Sequence, residues 1–160
     1  MEQYKVAVIG AGPGGYETAI RLNQLNISTI CFEKEKLGGV CLNKGCIPTK
    51  TLVKVADTYH EMKNASEIGL ENINFDIDYK KIYERKKQVV EKLVTGIEFL
   101  FKKRQIPLIQ KTVIKIEKQS QIYKIYTEDA QIYTAEYLII ATGSQPKELP
   151  FLKYDTERTM

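Results

Sequence analysis

Apolar residues near the amino terminus form two short runs with a helical pattern between them. The run YKVAVIG, residues 4–10, is almost continuously apolar and ends in glycine, which is typical of a parallel strand buried on both faces. Residues 14–26 follow the spacing of a helix, and STICFEK, residues 28–34, predicts a second strand. A strand, a helix and a strand within about thirty residues predict a βαβ unit over residues 4–34.

Two further helical patterns follow. A helix is predicted within residues 41–63, where the apolar spacing is clear from Cys46 onward. A loop-like stretch leads to the strongest helical signal, over residues 78–103, which Pro107 terminates. The apolar positions of this long helix are Tyr79, Ile82, Tyr83, Val90, Leu93, Val94, Ile97, Leu100 and Phe101.

After Pro107 the apolar period changes to two. Three segments, KTVIKIEKQ, QIYKIYTED and AQIYTAEYLIIATG, predict an antiparallel meander over residues 111–135, whose last strand continues into a buried one. The pattern therefore predicts an α/β protein with a Rossmann-like parallel sheet, a β-meander crossover and a long helix. One domain is predicted over residues 1–146, and a tail with little pattern follows at 147–160.

Composition and charge narrow the function classes. The chain has 160 residues and a net charge of +4, but lysines and acids are interleaved, so nucleic-acid binding is not expected. No apolar run is long enough to span a bilayer, and the amino terminus lacks the plan of a signal peptide. We therefore expect a cytoplasmic protein, or an organelle-matrix protein if a transit peptide was removed, without membrane partners.

A glycine-rich turn follows the first predicted strand. GAGPGG contains Gly10-x-Gly12-x-x-Gly15 and opens the first predicted helix, whose terminal N–H groups attract phosphate. Glu33, at the end of the second strand, is placed to accept hydrogen bonds from ribose hydroxyls. These features predict dinucleotide binding. The acid disfavours a 2′-phosphate, so FAD and NAD both fit better than NADP.

Two cysteines stand five positions apart in GGVCLNKGCIPTK, residues 38–50. A zinc site is disfavoured because the only further cysteine and histidine are Cys31 and His60, and no metal is expected. In a regular helix, residues five apart have Cα atoms about 8.6 Å apart, whereas a disulfide needs about 4.4–6.8 Å. The segment 41–46 cannot be regular helix if Cys41 and Cys46 are bridged.

The segment 38–50 closely resembles the redox-disulfide motif of the flavoprotein pyridine nucleotide-disulfide oxidoreductases. Its Leu-Asn and Ile-Pro-Thr-Lys flanks are most similar to those of the dihydrolipoamide dehydrogenase branch of that family. The similarity continues through ERKKQVVEKLVTGIEFLFKK and YLIIATGSQPKELP and covers essentially the whole chain. The resemblance implies an FAD-binding domain, with NAD expected for the complete enzyme.

The resemblance also implies roles for individual residues. Cys46 would face the flavin as a thiolate, and Cys41 would exchange with the substrate; these are the catalytic residues. The cofactor-binding residues that it implies are Gly10, Gly12, Pro13, Gly14, Gly15, Glu33, Lys34, Gly39, Val40, Cys41, Lys50, Thr142, Gly143 and Ser144.

The activity implied by the resemblance is oxidation of dihydrolipoamide with NAD⁺ as final acceptor. The expected partners are dihydrolipoamide on the lipoyl domain of a 2-oxo acid dehydrogenase complex and, in the complete enzyme, a second copy in a homodimer. The chain is much shorter than the family's full polypeptide, so we expect it to be incomplete relative to the full fold and inactive alone. Two alternatives remain: another disulfide reductase of the glutathione or mercuric type, or a nucleotide-binding module without turnover.

Overall fold

The computed structural model describes residues 3–145, 147 and 149–151. Its helices are α1 (Pro13–Gln24), α2 (Gly39–Lys44), α3 (Cys46–Lys63) and α4 (Tyr79–Lys103), with a 3₁₀ turn at Ala65–Ile68. Its strands are β1 (Gln3–Ile9), β2 (Thr29–Phe32), β3 (Leu108–Ile109), β4 (Val113–Gln119), β5 (Ile122–Thr127) and β6 (Ile132–Ile140). The predicted tail 147–160 lies outside the described residues, apart from residues 147 and 149–151.

The strands form one six-stranded sheet in the order β3-β2-β1-β6-β5-β4. Strands β3, β2, β1 and β6 run parallel to one another, while β4, β5 and β6 form an antiparallel meander. Strand β6 therefore belongs to both parts: it is the last strand of the meander and the end strand of the parallel part, next to β1. The predicted α/β class with a Rossmann-like sheet is confirmed.

Both faces of the parallel sheet are buried, which explains the uninterrupted apolar run of β1. Val6 and Val8 face a core formed with the helices, which contribute Ala19 of α1, and Ile97 and Phe101 of α4. The alternate residues of β1 face a second core shared with the meander, whose buried members are Ala7, Ile9, Ile30, Phe32, Ile125 and Ala135. A strand covered on both sides needs apolar residues at every position.

The helix predicted over residues 41–63 is two helices. Helix α2 ends at Lys44, Gly45 adopts φ −122° and ψ −105°, and α3 begins at Cys46. These angles lie outside the helical region, so the backbone changes direction between the two cysteines. The apolar spacing that predicts a helix here comes from α3, which has 18 residues.

Only the second half of α4 packs deeply against the sheet. Ile97 and Phe101 are buried, whereas Tyr79 and Tyr83 in the first half are exposed. The first half of α4 lies beside α3, and an apolar groove of about 1020 Å³ separates the two helices. Within the residues that the structure describes, no helix combines the length and the apolarity needed to cross a bilayer.

Candidate redox and dinucleotide site

Three strands end at the same level of the sheet. Ile9 of β1 is paired with Phe32 of β2 on one side and with Ile140 of β6 on the other. The residues that follow, among them Gly10 and Glu33, therefore leave the sheet at one carboxyl edge. In open α/β sheets this edge is where ligands bind.

The glycine-rich turn is tightly packed on its inner side. Gly10 has φ +96°, a left-handed conformation, and a Cβ atom there would overlap the carbonyl group of Ala141. A Cβ atom on Gly15 would collide with the carbonyl oxygen of Gly10, so β1 and α1 approach more closely than any side chain permits.

The outer side of the turn is open. Pro13 and Gly14 are exposed, and nothing lies within 4 Å of the position that a Gly14 Cβ would occupy. Helix α1 begins at Pro13 without a side-chain cap and without an acid in its first turn. A helix N-terminus with open space in front of it fits a pyrophosphate, because its N–H groups and dipole attract anions.

Glu33 is held by two backbone groups of the same edge. The Ala11 N–H donates to Glu33 Oε2 at 2.7 Å, and the Glu35 N–H donates to Oε1 at 2.8 Å. The sequence did not predict these bonds. They fix the carboxylate beside the turn, and each oxygen keeps a lone pair that a ribose hydroxyl can use.

The segment before α2 touches the glycine-rich turn directly. The Gly38 N–H donates to the Ala11 carbonyl at 2.8 Å. Gly39 has φ +57°, and a Cβ atom there would lie only 2.7 Å from the Cα of Gly12. The backbone of the cysteine segment is therefore packed against the backbone of the turn, with no side chain between them.

Cys41 and Cys46 form a disulfide with a Cα–Cα distance of 4.8 Å. The break at Gly45 between α2 and α3 produces this short distance. A Cβ atom on Gly45 would lie 3.2 Å from the Val40 carbonyl oxygen, so a larger residue would crowd the break. Cys46 is exposed at the N-terminus of α3, and Cys41 is half-buried in α2.

The remaining predicted residues lie at two places. Thr142, Gly143 and Ser144 are exposed and begin two residues after the end of β6, and the Thr142 Cα lies against the Gly10 turn. Lys50 is exposed on α3, one turn after Cys46, and lines the groove between α3 and α4. Lys34 and Val40 are also exposed. Across the described part of the chain, no group of three or more metal-binding side chains comes together.

The third cysteine is chemically isolated. Cys31 lies in β2 with none of its surface exposed, and burial, with the nearby Glu33 carboxylate, raises the pKa of its thiol to about 12. The thiolate is the reactive form of cysteine, so Cys31 is almost entirely unreactive at pH 8.

Thiol counting tests this assignment. We expect no thiol to react with an alkylating reagent at pH 8 in the native oxidised protein, two after mild reduction, and the third only after denaturation. Mass spectrometry of the alkylated protein gives the count. Labelling of Cys31 in the native state would contradict its burial, and a failure to gain two thiols on reduction would contradict the disulfide.

Comparison with known proteins identifies the family of the chain. Residues 4–157 match the family described as pyridine nucleotide-disulphide oxidoreductase, and the chain belongs to that family. It is similar to proteins named dihydrolipoyl dehydrogenase. It is 38% identical to that of Zymomonas mobilis over 154 residues, which cover 96% of this chain and 33% of the relative.

Two further relatives with the same name give similar values. The protein of Geobacillus stearothermophilus is 42% identical over 147 residues, covering 92% of this chain and 31% of the relative. One from Bacillus subtilis is 41% identical over 153 residues, covering 96% and 32%. The chain thus spans about a third of the length of the curated relatives that it matches. Membership of this family implies FAD as cofactor, with NAD for the complete enzyme.

Proposed function

We propose that this chain forms the FAD-binding, disulfide-bearing part of an oxidoreductase that oxidises dihydrolipoamide with NAD⁺ as final acceptor. One observation carries the proposal: the Cys41–Cys46 disulfide stands beside an open glycine-rich turn, to which its segment is joined by the contacts of Gly38 and Gly39. A redox-active sulfur pair and an anion-binding helix terminus therefore share one edge of the sheet.

The proposal gives the residues of this edge a role in holding FAD. The turn Gly10–Gly15 would bind the pyrophosphate, and Glu33 would accept hydrogen bonds from the adenosine ribose. Gly39 and Val40 would lie along the cofactor, Lys50 would lie near the flavin, and residues 142–144 would pass close to it. When bound, FAD would supply acceptance of two electrons and transfer of hydride to NAD⁺.

The two cysteines would carry out thiol–disulfide exchange. A thiolate of dihydrolipoamide attacks the Cys41 sulfur, a mixed disulfide forms, and Cys46 leaves as a thiolate. The second substrate thiolate attacks the sulfur of its own mixed disulfide, so lipoamide leaves and Cys41 becomes a thiol after taking up a proton. The N-terminus of α3, which has no acid in its first turn, stabilises the Cys46 thiolate.

The proton of the attacking thiol needs a base, and His60 is not a candidate. His60 is exposed near the end of α3, fourteen positions after Cys46, which is about 21 Å along a helix axis. We therefore propose that the base and the NAD site belong to other parts of the complete homodimer. The 160-residue chain alone is then expected to show no turnover with NAD⁺, and its setting would be a 2-oxo acid dehydrogenase complex in the cytoplasm.

Titration with FAD and then with dihydrolipoamide tests the function. We expect FAD to bind the purified chain, as measured by quenching of flavin fluorescence. One equivalent of dihydrolipoamide should then yield two protein thiols and one lipoamide. Reduction by glutathione but not by dihydrolipoamide would favour the glutathione reductase class, and binding of adenine nucleotides without flavin would favour a module without redox activity.

Replacing Glu33, the carboxylate proposed to bind the adenosine ribose, by an uncharged residue of similar shape provides a sharper test. We expect Glu33→Gln to weaken FAD binding about tenfold, because a hydrogen bond to a charged group contributes about 1.5–3 kcal/mol. Glu35→Gln is the matched control: Glu35 is exposed, and its ion pair with Lys44 at 3.6 Å lies at the surface. Equal FAD affinities for the two variants would contradict the role of Glu33.

A further inference from the structure

Asn43 lies between the two cysteines and uses both amide hydrogens. Its Nδ2 donates to the Leu37 carbonyl at 2.9 Å and to the Gly39 carbonyl at 2.9 Å. These two acceptors stand on either side of Gly38, whose N–H is bonded to the glycine-rich turn. The Asn43 amide thus ties the last turn of α2 to the segment that anchors α2 to the sheet edge.

Cys41 lies in the chain between Gly39 and Asn43, which are joined by one of these two hydrogen bonds. Helix α2 has six residues, which is far below the length at which a helix is stable in water, so other contacts must hold it. Within the described residues, the contacts that hold it include the disulfide, the packing of its first residue against the glycine-rich turn, the burial of Leu42, the exposed ion pair of Lys44 with Glu35, and the Asn43 amide. The disulfide is absent whenever the pair is reduced, and the surface ion pair contributes little.

We propose that Asn43 is the positioning residue of the redox pair: its amide keeps Cys41 within reach of Cys46 while both are thiols. The inference rests on the proposed function, because the position of the reduced pair matters only if the disulfide opens and closes in the reaction. It assigns Asn43 no contact with substrate or cofactor.

The expected effect follows from comparing the two redox states. In the disulfide form, the S–S bond restrains Cys41 whether or not Asn43 does. In the dithiol form, loss of the tie frees α2 and adds conformational entropy to that form alone. Removing the Asn43 amide should therefore favour the dithiol and make the disulfide easier to reduce.

Equilibration of the protein with glutathione measures how easily the disulfide is reduced, and it requires no flavin. Two glutathione thiols give up two electrons and two protons, the Cys41–Cys46 bond breaks, and glutathione disulfide forms together with two protein thiols. We expect Asn43→Asp, which replaces both donors with acceptors, to shift the equilibrium about tenfold toward the dithiol, or about 30 mV for a two-electron couple.

Asn23→Asp is the matched control. The Asn23 Nδ2 also donates to a backbone carbonyl, that of Arg104 at 3.2 Å, but it joins α1 to the end of α4 away from the cysteine segment. We expect Asn23→Asp to lower thermal stability without moving the glutathione equilibrium. An equal shift in both variants would overturn the inference, because it would reduce the effect to general destabilisation.

Circular dichroism of each oxidised variant shows whether it is folded. If Asn43→Asp does not fold, Asn43→Ser, which retains one donor, is expected to show a smaller shift in the same direction, and no shift would overturn the inference. If Asn43→Asp folds and its glutathione equilibrium equals that of a reversibly reduced wild-type protein, the role of Asn43 is overturned and the proposed function is not. A folded wild-type protein whose disulfide is reduced neither by glutathione nor by dihydrolipoamide would overturn the proposed function itself, and the role of Asn43 with it.

Discussion

Replacing either cysteine by serine is expected to stop dihydrolipoamide oxidation, but the two variants should differ in their spectra. With FAD bound, Cys41→Ser should show a long-wavelength charge-transfer band without any reductant, because Cys46 is then a free thiolate at the N-terminus of α3. Cys46→Ser should show no such band, even after reduction, because the remaining thiol belongs to the residue that would exchange with substrate. Absorbance spectra of the FAD-bound variants, with and without dithiothreitol, provide the measurement.

Cys31→Ser is the control for this pair. It makes the same change of sulfur to oxygen in a fully buried strand, so it should lower stability and leave both the band and the exchange chemistry unchanged. A band in Cys46→Ser and none in Cys41→Ser would reverse the proposed assignment of the two sulfurs. Bands in neither variant would contradict the location of the pair beside the flavin.

Gly15→Ala should destabilise the protein by about 3 kcal/mol and greatly weaken FAD binding, because overpacking of a close contact has a cost of that order. The new methyl group would collide with the carbonyl oxygen of Gly10 and push α1 away from β1. The turn would then lose the geometry that presents its N–H groups to phosphate. Urea denaturation and FAD titration measure the two effects.

Gly96→Ala is the control for a glycine in a helix. Gly96 lies in α4, and nothing lies within 4 Å of the position of its missing Cβ, so alanine should stabilise the protein by about 1 kcal/mol through helix propensity. FAD binding should not change. A Gly15→Ala protein as stable as Gly96→Ala would show that β1 and α1 are not packed as described.

The elements that the sequence predicted are those with a local signal. The first βαβ unit has an apolar run, a helical pattern and a glycine turn, so each part can be read without knowing its neighbours. The meander was recognised by its period of two, and its turns at Ser120 and Ala130 have positive φ values of 55° and 61°. The glycine motif and Glu33 could be proposed as a dinucleotide site because their spacing is set by the strand and helix that carry them.

The missed elements are defined by distant partners. Strand β3 has only two residues, Leu108 and Ile109, and it is a strand because they pair with Cys31 and Phe32 of β2. Helix α2 is too short for a periodic signal. No local pattern can reveal an element whose stability comes from contacts elsewhere in the chain.

The role proposed for Asn43 was missed for a similar reason. Asn43 belongs to no sequence pattern that indicates a structural role, whereas in the fold its side chain donates to the carbonyl groups of Leu37 and Gly39. Its position between the two cysteines was the one available signal. The sequence predicts Glu33 as a ribose acceptor, but its bond to Ala11 could not be predicted without the register of β1 and β2.

Strand β6 pairs with the meander on one side and with β1 on the other, and this position also constrains the order of folding. β1 emerges before β6 during synthesis, yet the two are neighbours in the sheet, and their paired residues lie more than 130 positions apart, as in Gln3 with Thr134. Closing so long a loop is slow, and the unpaired edge of β1 stays open until it happens. A nascent chain in which β6 has not yet emerged therefore lacks one of the three strands that end at the glycine-rich turn. We therefore expect FAD to bind only after β6 has paired with β1.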